Sequence, residues 1–393
     1  MKYLLINSLK FGGAEKVAQI LAAADVFDKV IMLENDQDFP LNIPVETLSE
    51  HSSRTSSIFK TVFIPFYVRR LQRIINKNDI VVSFSERANF VNIISKIFFG
   101  QPAIIALHTN ISSSFKTAKK YFYYLLIKIL YHRADAVVAV SQGINDNFKK
   151  IVKFKGYNPV IYNPLDLKSI NVLKSERLGF PDELMKNSIV TVGRLFYQKA
   201  QWVLLKVFSD VLRLNPGVKL FIIGDGDLRN KLLDYAAGLG LRVFSAFSRP
   251  LGDISPSYDV YFLGFQKNPY KFMARSAVFT LSSVSEGLPM VVLEAMACGL
   301  PVIASDCDYG PREILASGDK KFGLLVPVLN YKITDNIDTA DKGYGKWLDA
   351  FAGLLNDETK RREYQELSLA RAEDFSIEGI KPVWQELFKQ IEK

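Results

Sequence analysis

Short apolar runs alternate with helical stretches along most of the chain, and this alternation is the feature that most restricts the fold. Each run is rich in Val, Ile, Leu and Ala, as expected for strands that are buried on both faces. The runs occupy residues 3–6, 30–33, 80–84, 103–107, 136–140, 188–192, 218–223, 260–265 and 302–304. Regular alternation of strand and helix predicts parallel, doubly wound sheets, which bind ligands at the carboxyl ends of their strands.

Composition limits the class of protein. A length of 393 residues is sufficient for two domains with separate cores. Two cysteines and three histidines disfavour a disulfide scaffold, a cysteine zinc site and a histidine metal cluster, and they fit a reducing cytoplasm. We expect no signal peptide, because the first apolar run is too short, and no transmembrane helix, because charges interrupt every long apolar segment.

The net charge of +9 is unevenly distributed. Residues 1–170 contain 22 basic and 13 acidic side chains, whereas residues 171–393 contain 28 of each. The excess positive charge therefore belongs to the first half of the chain. A basic half favours either nucleic acid or an anionic membrane as a partner.

Residues 282–306 carry the most specific local pattern. Small polar residues and Gly287 predict a loop, Pro289 is placed as the first helical residue, and Gly299 ends the helix. Glu286 then lies in the loop, and Glu294 lies inside the helix, from which its side chain leans back toward the helix start. The N-terminus of a helix attracts anions such as phosphates, and carboxylates accept hydrogen bonds from hydroxyls. Two carboxylates beside a helix start therefore suit a ligand that has both phosphates and hydroxyls, such as a nucleotide-sugar. The alternative from spacing alone is a half-exposed helix with two solvated acids.

The full string resembles the Glu-x7-Glu signature of the retaining glycosyltransferases of family 4. The match includes Ser-x-x-Ser-Glu-Gly-x-Pro around Glu286 and Glu-Ala-Met-Ala-x-Gly-x-Pro-Val-Ile-Ala from Glu294. The resemblance implies the GT-B fold, with two Rossmann-like parallel-sheet domains that face a central cleft. It also implies that Glu286 binds hydroxyls of the donor sugar, that Glu294 binds the ribose, and that donor contacts include Gly287, Leu288 and Pro289.

Further motifs of the second half match the same family. Gly193-Arg194-Leu-x-x-x-Lys199 places two cations after a strand, where they can clamp a diphosphate. Without the family match, two solvated loop charges would be the better interpretation. The resemblance assigns Gly224 to a glycine turn near the nucleotide, and Gly264 and Phe265 to the segment that reads the nucleobase.

In the first half the resemblance is sparser. Gly12 and Gly13 form a glycine turn between the first strand and helix, which alone predicts only a tight turn. The family has a Gly-Gly loop here that faces the donor phosphates and the acceptor. His108 follows the strand at residues 103–107, and family members carry a histidine there beside the donor sugar. The resemblance therefore adds His108 to the catalytic candidates Glu286, Arg194 and Lys199.

We predict an acceptor-binding domain at 1–168 and a donor-binding domain at 187–375, with a last helix at 376–393 that packs back onto the first domain. Residues 167–187 are predicted to be a connection, and residues 241–258 a surface insertion. The resemblance is dense from about 189 to 327 and sparse before 170. This distribution suits an enzyme whose second domain binds a common donor and whose first domain binds a particular acceptor.

The resemblance implies transfer of a sugar, with retention of configuration, from a nucleoside diphosphate to a hydroxyl of a lipid-linked, lipopolysaccharide or polysaccharide acceptor. We expect a UDP-sugar donor, with GDP-mannose as the alternative, and neither a cofactor nor a metal. Three alternatives remain: a nucleic-acid-binding protein, although no such motif is present; a catalytically inactive relative; and a metal-dependent GT-A enzyme. The last would use one of the Asp-x-Asp strings at 36–38, 225–227 and 306–308.

Two basic segments of the first half contain no acidic residue. The segment 51–78 contains six cations, Arg54, Lys60, Arg69, Arg70, Arg73 and Lys77, interleaved with apolar side chains. The segment 87–134 includes the similar stretch 115–133. Such a composition suits a surface that lies on anionic lipid. We therefore expect a cytoplasmic protein that binds the inner face of the cell membrane peripherally; the alternative is that these residues form ordinary core helices with lysines that reach water.

Overall fold

The computed structural model describes residues 1–10, 12–52, 57–109 and 118–392. The chain divides into two compact units, the first formed by 1–165 and 375–393, the second by 166–374. Each unit is built around a parallel sheet with helices between the strands, so the predicted class of two doubly wound α/β domains is confirmed.

The first unit contains a sheet with the strand order β3-β2-β1-β4-β5-β6, in which all pairs are parallel. Its strands are β1 (Lys2–Ile6), β2 (Lys29–Met32), β3 (Val45–Thr47), β4 (Ile80–Phe84), β5 (Ala103–Leu107) and β6 (Ala136–Ala139). Its first helices are α1 (Gly13–Ala23), α2 (Ser57–Val62), α3 (Ile64–Ile74), α4 (Glu86–Phe99), α5 (Ala118–Leu130) and α6 (Gln142–Ile151). Every residue of β4, β5 and β6 is buried, because helices cover both faces of the sheet.

The second unit contains a sheet with the order β15-β12-β11-β7-β8-β10-β9, again parallel throughout, and a small antiparallel pair β13-β14. Its strands are β7 (Ser188–Val192), β8 (Lys219–Ile223), β9 (Val243–Ser245), β10 (Val260–Gly264), β11 (Val278–Leu281), β12 (Val302–Ser305), β13 (Ala316–Ser317), β14 (Lys320–Lys321) and β15 (Leu324–Val326). Its helices are α7 (Leu167–Leu173), α8 (Glu183–Lys186), α9 (Gln201–Leu214), α10 (Arg229–Gly238), α11 (Tyr270–Met273), α12 (Met290–Ala297), α13 (Pro311–Leu315), α14 (Lys342–Leu355) and α15 (Glu358–Glu373).

Helix α16 (Ile377–Ile391) belongs to the first unit. Its Trp384 and Phe388 lie against Phe27, with ring centroids 6.0 and 6.2 Å apart, and Trp384 also contacts Phe84. Both side chains are almost fully buried. The last helix is therefore part of the core of the first unit.

Two segments of the second unit differ from the structure that the sequence predicted for them. Residues 167–187, predicted to be a connection, include α7 and α8, and Asn268 holds the end of α7 through the Leu173 carbonyl at 2.8 Å. Residues 241–258 are not wholly a surface insertion, because β9 forms the edge strand beside β10 and Phe244 is fully buried. A strand of three residues carries too little periodicity to be predicted.

Candidate functional site

Glycine backbones bring the carboxyl ends of β7, β8 and β10 into close contact. The Gly224 N–H donates to the Gly264 carbonyl at 2.8 Å, and the Gly193 N–H donates to the Ile223 carbonyl at 2.9 Å. Gly224 has a φ of +139°, and a Cβ atom there would lie 2.0 Å from the Gly193 carbonyl oxygen. The predicted site glycines Gly193, Gly224 and Gly264 therefore form one floor at the sheet edge.

The two predicted phosphate-binding cations have different surroundings. Arg194 is exposed, with its guanidinium 5.1 Å from the centre of the Phe196 ring, and within the described residues it forms no ion pair. Lys199 lies along Gly193, and its Nζ donates to Glu286 Oε1 at 2.6 Å. The structure thus joins two side chains that the sequence assigned to separate tasks, phosphate binding and sugar binding.

Glu286 is held firmly in the loop between β11 and α12. It is only 8% exposed, and its Oε1 also accepts from the Ser283 hydroxyl at 2.5 Å. The loop is tied to the 197–199 turn, because Ser282 Oγ donates to the Lys199 carbonyl at 2.8 Å and the Gln198 amide donates to the Ser285 carbonyl at 2.6 Å. Ser283 occupies an unspecified position of the Ser-x-x-Ser-Glu-Gly-x-Pro motif, so the motif predicts no role for it.

The start of α12 lies beside Glu286. The helix begins at Met290, and Pro289 is its N-cap with extended backbone, so the prediction that Pro289 is the first helical residue is wrong by one position. Leu288 is 6% and Glu294 5% exposed. Gly310, with φ +80°, packs so closely that a Cβ atom there would lie 2.5 Å from the Gly287 carbonyl oxygen and 2.6 Å from Pro289 Cδ. This contact fixes the Gly287–Pro289 backbone.

Cys307 is a buried free cysteine in this region, and a cysteine thiol is a potential nucleophile. Burial raises its pKa to about 12, and the Glu286 carboxylate adds to the shift. The thiol therefore stays protonated near neutral pH, which disfavours a nucleophilic role because the thiolate is the reactive form.

Two side chains that the sequence did not indicate lie near the turn after β10. Phe265 is half exposed, and the Phe247 ring lies 3.3 Å from the position that a Gly264 Cβ would occupy. The Arg229 guanidinium stacks on Phe247 with its centre 4.0 Å from the ring centroid, and it also pairs with Asp225. Phe247 and Arg229 are separated from Gly264 by 17 and 35 positions, so no local pattern predicts this grouping.

The first aspartate of each of the three Asp-x-Asp strings forms an ion pair in the structure. Asp36 lies 3.8 Å from Lys10, Asp225 pairs with Arg229, and Asp306 pairs with Arg312. In the part of the chain that the structure describes, no group of three or more His, Cys, Asp or Glu side chains is arranged to hold a metal ion.

Gly12, Gly13 and His108 lie in the first unit, at the carboxyl edge of its sheet. Gly12 caps α1 and Gly13 is its first residue. His108 follows β5, with its ring 4.4 Å from that of Phe84, and burial lowers its pKa to about 4. Its Nε2 is buried, with no hydrogen-bond partner among the described residues. The His108 ring is therefore neutral at pH 7.

Helices α2 to α5 of the first unit carry a second candidate surface, which we call the α2–α5 surface. Seven of its large apolar side chains are between 43% and 79% exposed: Phe59, Val62, Phe66, Ile97, Phe98, Leu125 and Ile129. Its exposed cations on α3 are Arg69, Arg70 and Arg73, with Lys77 just beyond. Among the described residues, no helix is both long and apolar enough to span a bilayer.

Lys60 does not belong to this exposed set. It is 3% exposed and donates to Glu34 at 2.7 Å, while Arg87 pairs with the other oxygen of Glu34. The inclusion of Lys60 among the lipid-facing cations is therefore wrong, because a buried carboxylate neutralises it. Ile64, Tyr67 and Val68 are also buried, as the core-helix alternative predicted. Arg54 and residues 110–117 lie outside the described residues, as do the side chains of 118–122.

Comparison with known proteins identifies relatives for both units. Residues 11–169 match the model for "Glycosyltransferase Family 4", and residues 186–338 match the model for "Glycosyl transferases group 1". An uncharacterized glycosyltransferase of Methanocaldococcus jannaschii is 30% identical over 391 residues, which cover 92% of this chain and 88% of that protein.

One further relative and one solved structure have informative names. The chain is 28% identical to the Campylobacter jejuni N-acetylgalactosamine-N,N'-diacetylbacillosaminyl-diphospho-undecaprenol 4-alpha-N-acetylgalactosaminyltransferase, over 95% of this chain and 94% of that protein. The crystal structure of Anabaena HepE in complex with UDP matches with a TM-score of 0.75 and 20% identity, over 99% of both chains. At 20% identity, the similarity to HepE shows the fold alone.

Proposed function

This chain belongs to the glycosyltransferases of group 1 and family 4, and from that premise we propose that it is a retaining enzyme that moves a sugar from a UDP-sugar to a hydroxyl of a lipid-linked or polysaccharide acceptor. The observation that carries the proposal is the position of Glu286. A buried carboxylate, paired with Lys199, lies beside the glycine floor and the start of α12. This grouping combines a sugar-hydroxyl acceptor with cationic and helix-end groups for a diphosphate.

In the proposed mechanism, the charge that develops on the departing diphosphate is stabilised by the protein. Arg194, Lys199 and the N-terminus of α12 supply positive potential without a metal ion. Lys199 neutralises Glu286 before the donor binds, and it can turn toward the phosphates when they arrive. Glu286 then accepts hydrogen bonds from the donor sugar, Glu294 from the ribose, and the β-phosphate assists deprotonation of the acceptor hydroxyl on the same face.

Two similar proteins support the proposed donor and acceptor classes. HepE was crystallised with UDP, and the name of the Campylobacter relative specifies N-acetylgalactosamine transfer to a glycan on diphospho-undecaprenol. We therefore propose a UDP-hexose or UDP-N-acetylhexosamine donor, with GDP-mannose as the alternative. A panel of UDP-, GDP- and ADP-sugars, scored by thermal stabilisation and by hydrolysis in excess EDTA, tests this. Selective stabilisation and turnover with a UDP-sugar is expected; a chain that responds to none of them contradicts the proposal.

Arg194→Ala should weaken binding of UDP by roughly 10- to 150-fold, the usual value of a charge-assisted contact. Isothermal titration calorimetry with UDP alone measures this effect without the sugar. Arg213→Ala is the matched control, because Arg213 is an exposed arginine of the same unit that pairs with Asp210 on α9. Equal affinities in wild type and Arg194→Ala would show that the phosphate assignment is wrong.

We also propose that the α2–α5 surface binds an anionic membrane, where a lipid-linked acceptor would be anchored. Phe98 and Val62 are 79% and 71% exposed, and the Arg70 guanidinium lies 5.3 Å from the centre of the Phe66 ring. Exposed apolar side chains together with arginines suit the boundary between headgroups and acyl chains. No acidic residue occurs between 51 and 78 in the sequence, so this segment itself contributes no carboxylate that would repel the headgroups. The membrane would thus hold the enzyme where its acceptor is concentrated.

Charge reversal at Arg69, Arg70 and Arg73 should abolish the salt-sensitive part of binding to anionic liposomes, because about 1 kcal/mol per cation is lost near the lipid surface. Co-sedimentation with anionic and neutral vesicles at low and high salt measures it. The matched control reverses Lys320, Lys321 and Lys332, three exposed lysines of the second unit. If the wild type ignores both vesicle types and glycosylates a soluble acceptor equally well, the membrane proposal fails.

A further inference from the structure

One oxygen of Glu286 is held by two different donors. Lys199 Nζ lies 2.6 Å and Ser283 Oγ 2.5 Å from Oε1, and among the described residues no hydrogen bond to Oε2 is present. The arrangement fixes the carboxylate by one oxygen and leaves the other to face a ligand. Hydroxyl–carboxylate bonds of this length are charge-assisted and directional.

Ser283 is itself rigidly placed. It lies just beyond the end of β11 and is fully buried. The hydroxyl of Ser305, the last residue of β12, donates to the Ser283 carbonyl oxygen. Since β11 and β12 are paired in parallel through Leu281 and Ala304, the neighbouring strand sets the position of the Ser283 backbone.

The two donors to Glu286 differ in what else they can do. Lys199 is 20% exposed along its side chain and carries a charge, so an arriving diphosphate competes with Glu286 for it. Ser283 is buried and neutral, with no such competitor. When the donor is bound and Lys199 turns toward the phosphates, Ser283 remains as the group that holds the carboxylate.

We propose that Ser283 is a positioning residue, which orients Glu286 toward the donor sugar in the donor-bound enzyme. The inference rests on the proposed function, because it requires that Glu286 binds sugar hydroxyls. It assigns to Ser283 an effect on the sugar part of the donor and none on its diphosphate. A serine that only stabilised the fold would affect both parts alike.

Ser283→Ala should lower kcat/KM for the UDP-sugar by roughly 10- to 100-fold while UDP alone binds as in wild type. Ser283→Cys keeps a weaker donor of similar size, so its kcat/KM should lie between those of wild type and Ser283→Ala. This variant replaces Ser283→Ala in the test if the alanine variant folds poorly. Ser188→Ala is the matched control, since Ser188 is another fully buried serine of this unit whose hydroxyl donates to a carbonyl, that of Met185 at 2.6 Å.

Combining Ser283→Ala with Glu286→Ala separates positioning from general stability, because alanine leaves Ser283 no side-chain acceptor to orient. If Ser283 acts through Glu286, adding Ser283→Ala to the Glu286→Ala variant should change the remaining turnover by less than about twofold, a non-additive pair. Full additivity, unchanged turnover in Ser283→Ala, or an equal loss of UDP binding would overturn the inference. A wild type that binds UDP but neither binds nor cleaves any UDP-sugar would instead refute the proposed function.

Discussion

Replacing Glu286 with alanine should reduce kcat/KM for sugar transfer by at least about 100-fold, because two charge-assisted hydrogen bonds to the donor sugar are typically worth that much together. The loss has a second cause. Lys199 pairs with Glu286 at 2.6 Å, and without the carboxylate its ammonium can turn toward the diphosphate before the sugar is correctly placed. Initial rates of transfer, or of donor hydrolysis where the acceptor is unknown, measure the effect.

The controls for this prediction are the amide variant and a distant glutamate. Glu286→Gln keeps a hydrogen-bond acceptor and should retain more activity than Glu286→Ala, yet less than wild type. Glu183→Ala removes a carboxylate that is 74% exposed on α8 of the same unit, and its rate should not change. Thermal unfolding confirms that each variant is folded. A near-wild-type rate in folded Glu286→Ala would contradict the role assigned to this residue.

Much of the second-unit site could be predicted because its residues follow strands directly. Gly193, Gly224 and Gly264 each lie at a strand end, and neighbouring parallel strands deliver their carboxyl ends to one edge. The motifs around Arg194 and Glu286 added residue types that periodicity alone does not specify. For these positions, local sequence and sheet topology together contain the required information.

The pairings within that site could not be predicted. Lys199 and Glu286 are 87 positions apart, and Glu34 lies 26 and 53 positions from its partners Lys60 and Arg87. Such pairs form only when distant elements are packed, so a sequence lists the charges without showing which neutralise each other. Lys60 illustrates the consequence, since its charge was counted toward a membrane surface although Glu34 neutralises it in the interior.

Gly224 shows a third kind of limit, in which the residue is predicted but the reason for it is not. A strand-to-helix glycine turn suggests a close approach by a ligand. In the structure, the closest approach is made by the chain itself, at the Gly193 carbonyl. The absence of a side chain at Gly224 therefore allows the two turns of the candidate site to pack together, and it also leaves room for a ligand.

Gly224→Ala should lower the free energy of unfolding by about 2–5 kcal/mol. The added Cβ would lie 2.0 Å from the Gly193 carbonyl oxygen. Backbone atoms would have to move to remove this clash. Overpacking costs about 1–3 kcal/mol, and a left-handed or otherwise sparsely populated backbone conformation adds about 1–2 kcal/mol. Chemical denaturation, fitted to the transition of the second unit, measures the change.

The same substitution should also weaken UDP binding, because the displaced backbone belongs to Gly193 and carries Arg194 with it. Gly238→Ala is the matched control: this glycine ends α10, nothing lies within 4 Å of its Cβ position, and alanine there should be neutral or stabilise by up to about 1 kcal/mol. If Gly224→Ala has the same free energy of unfolding as Gly238→Ala, the contact between the Gly193 and Gly224 turns is not rigid. If it is destabilised yet binds UDP normally, the turns support the fold alone, and phosphate binding does not depend on their contact.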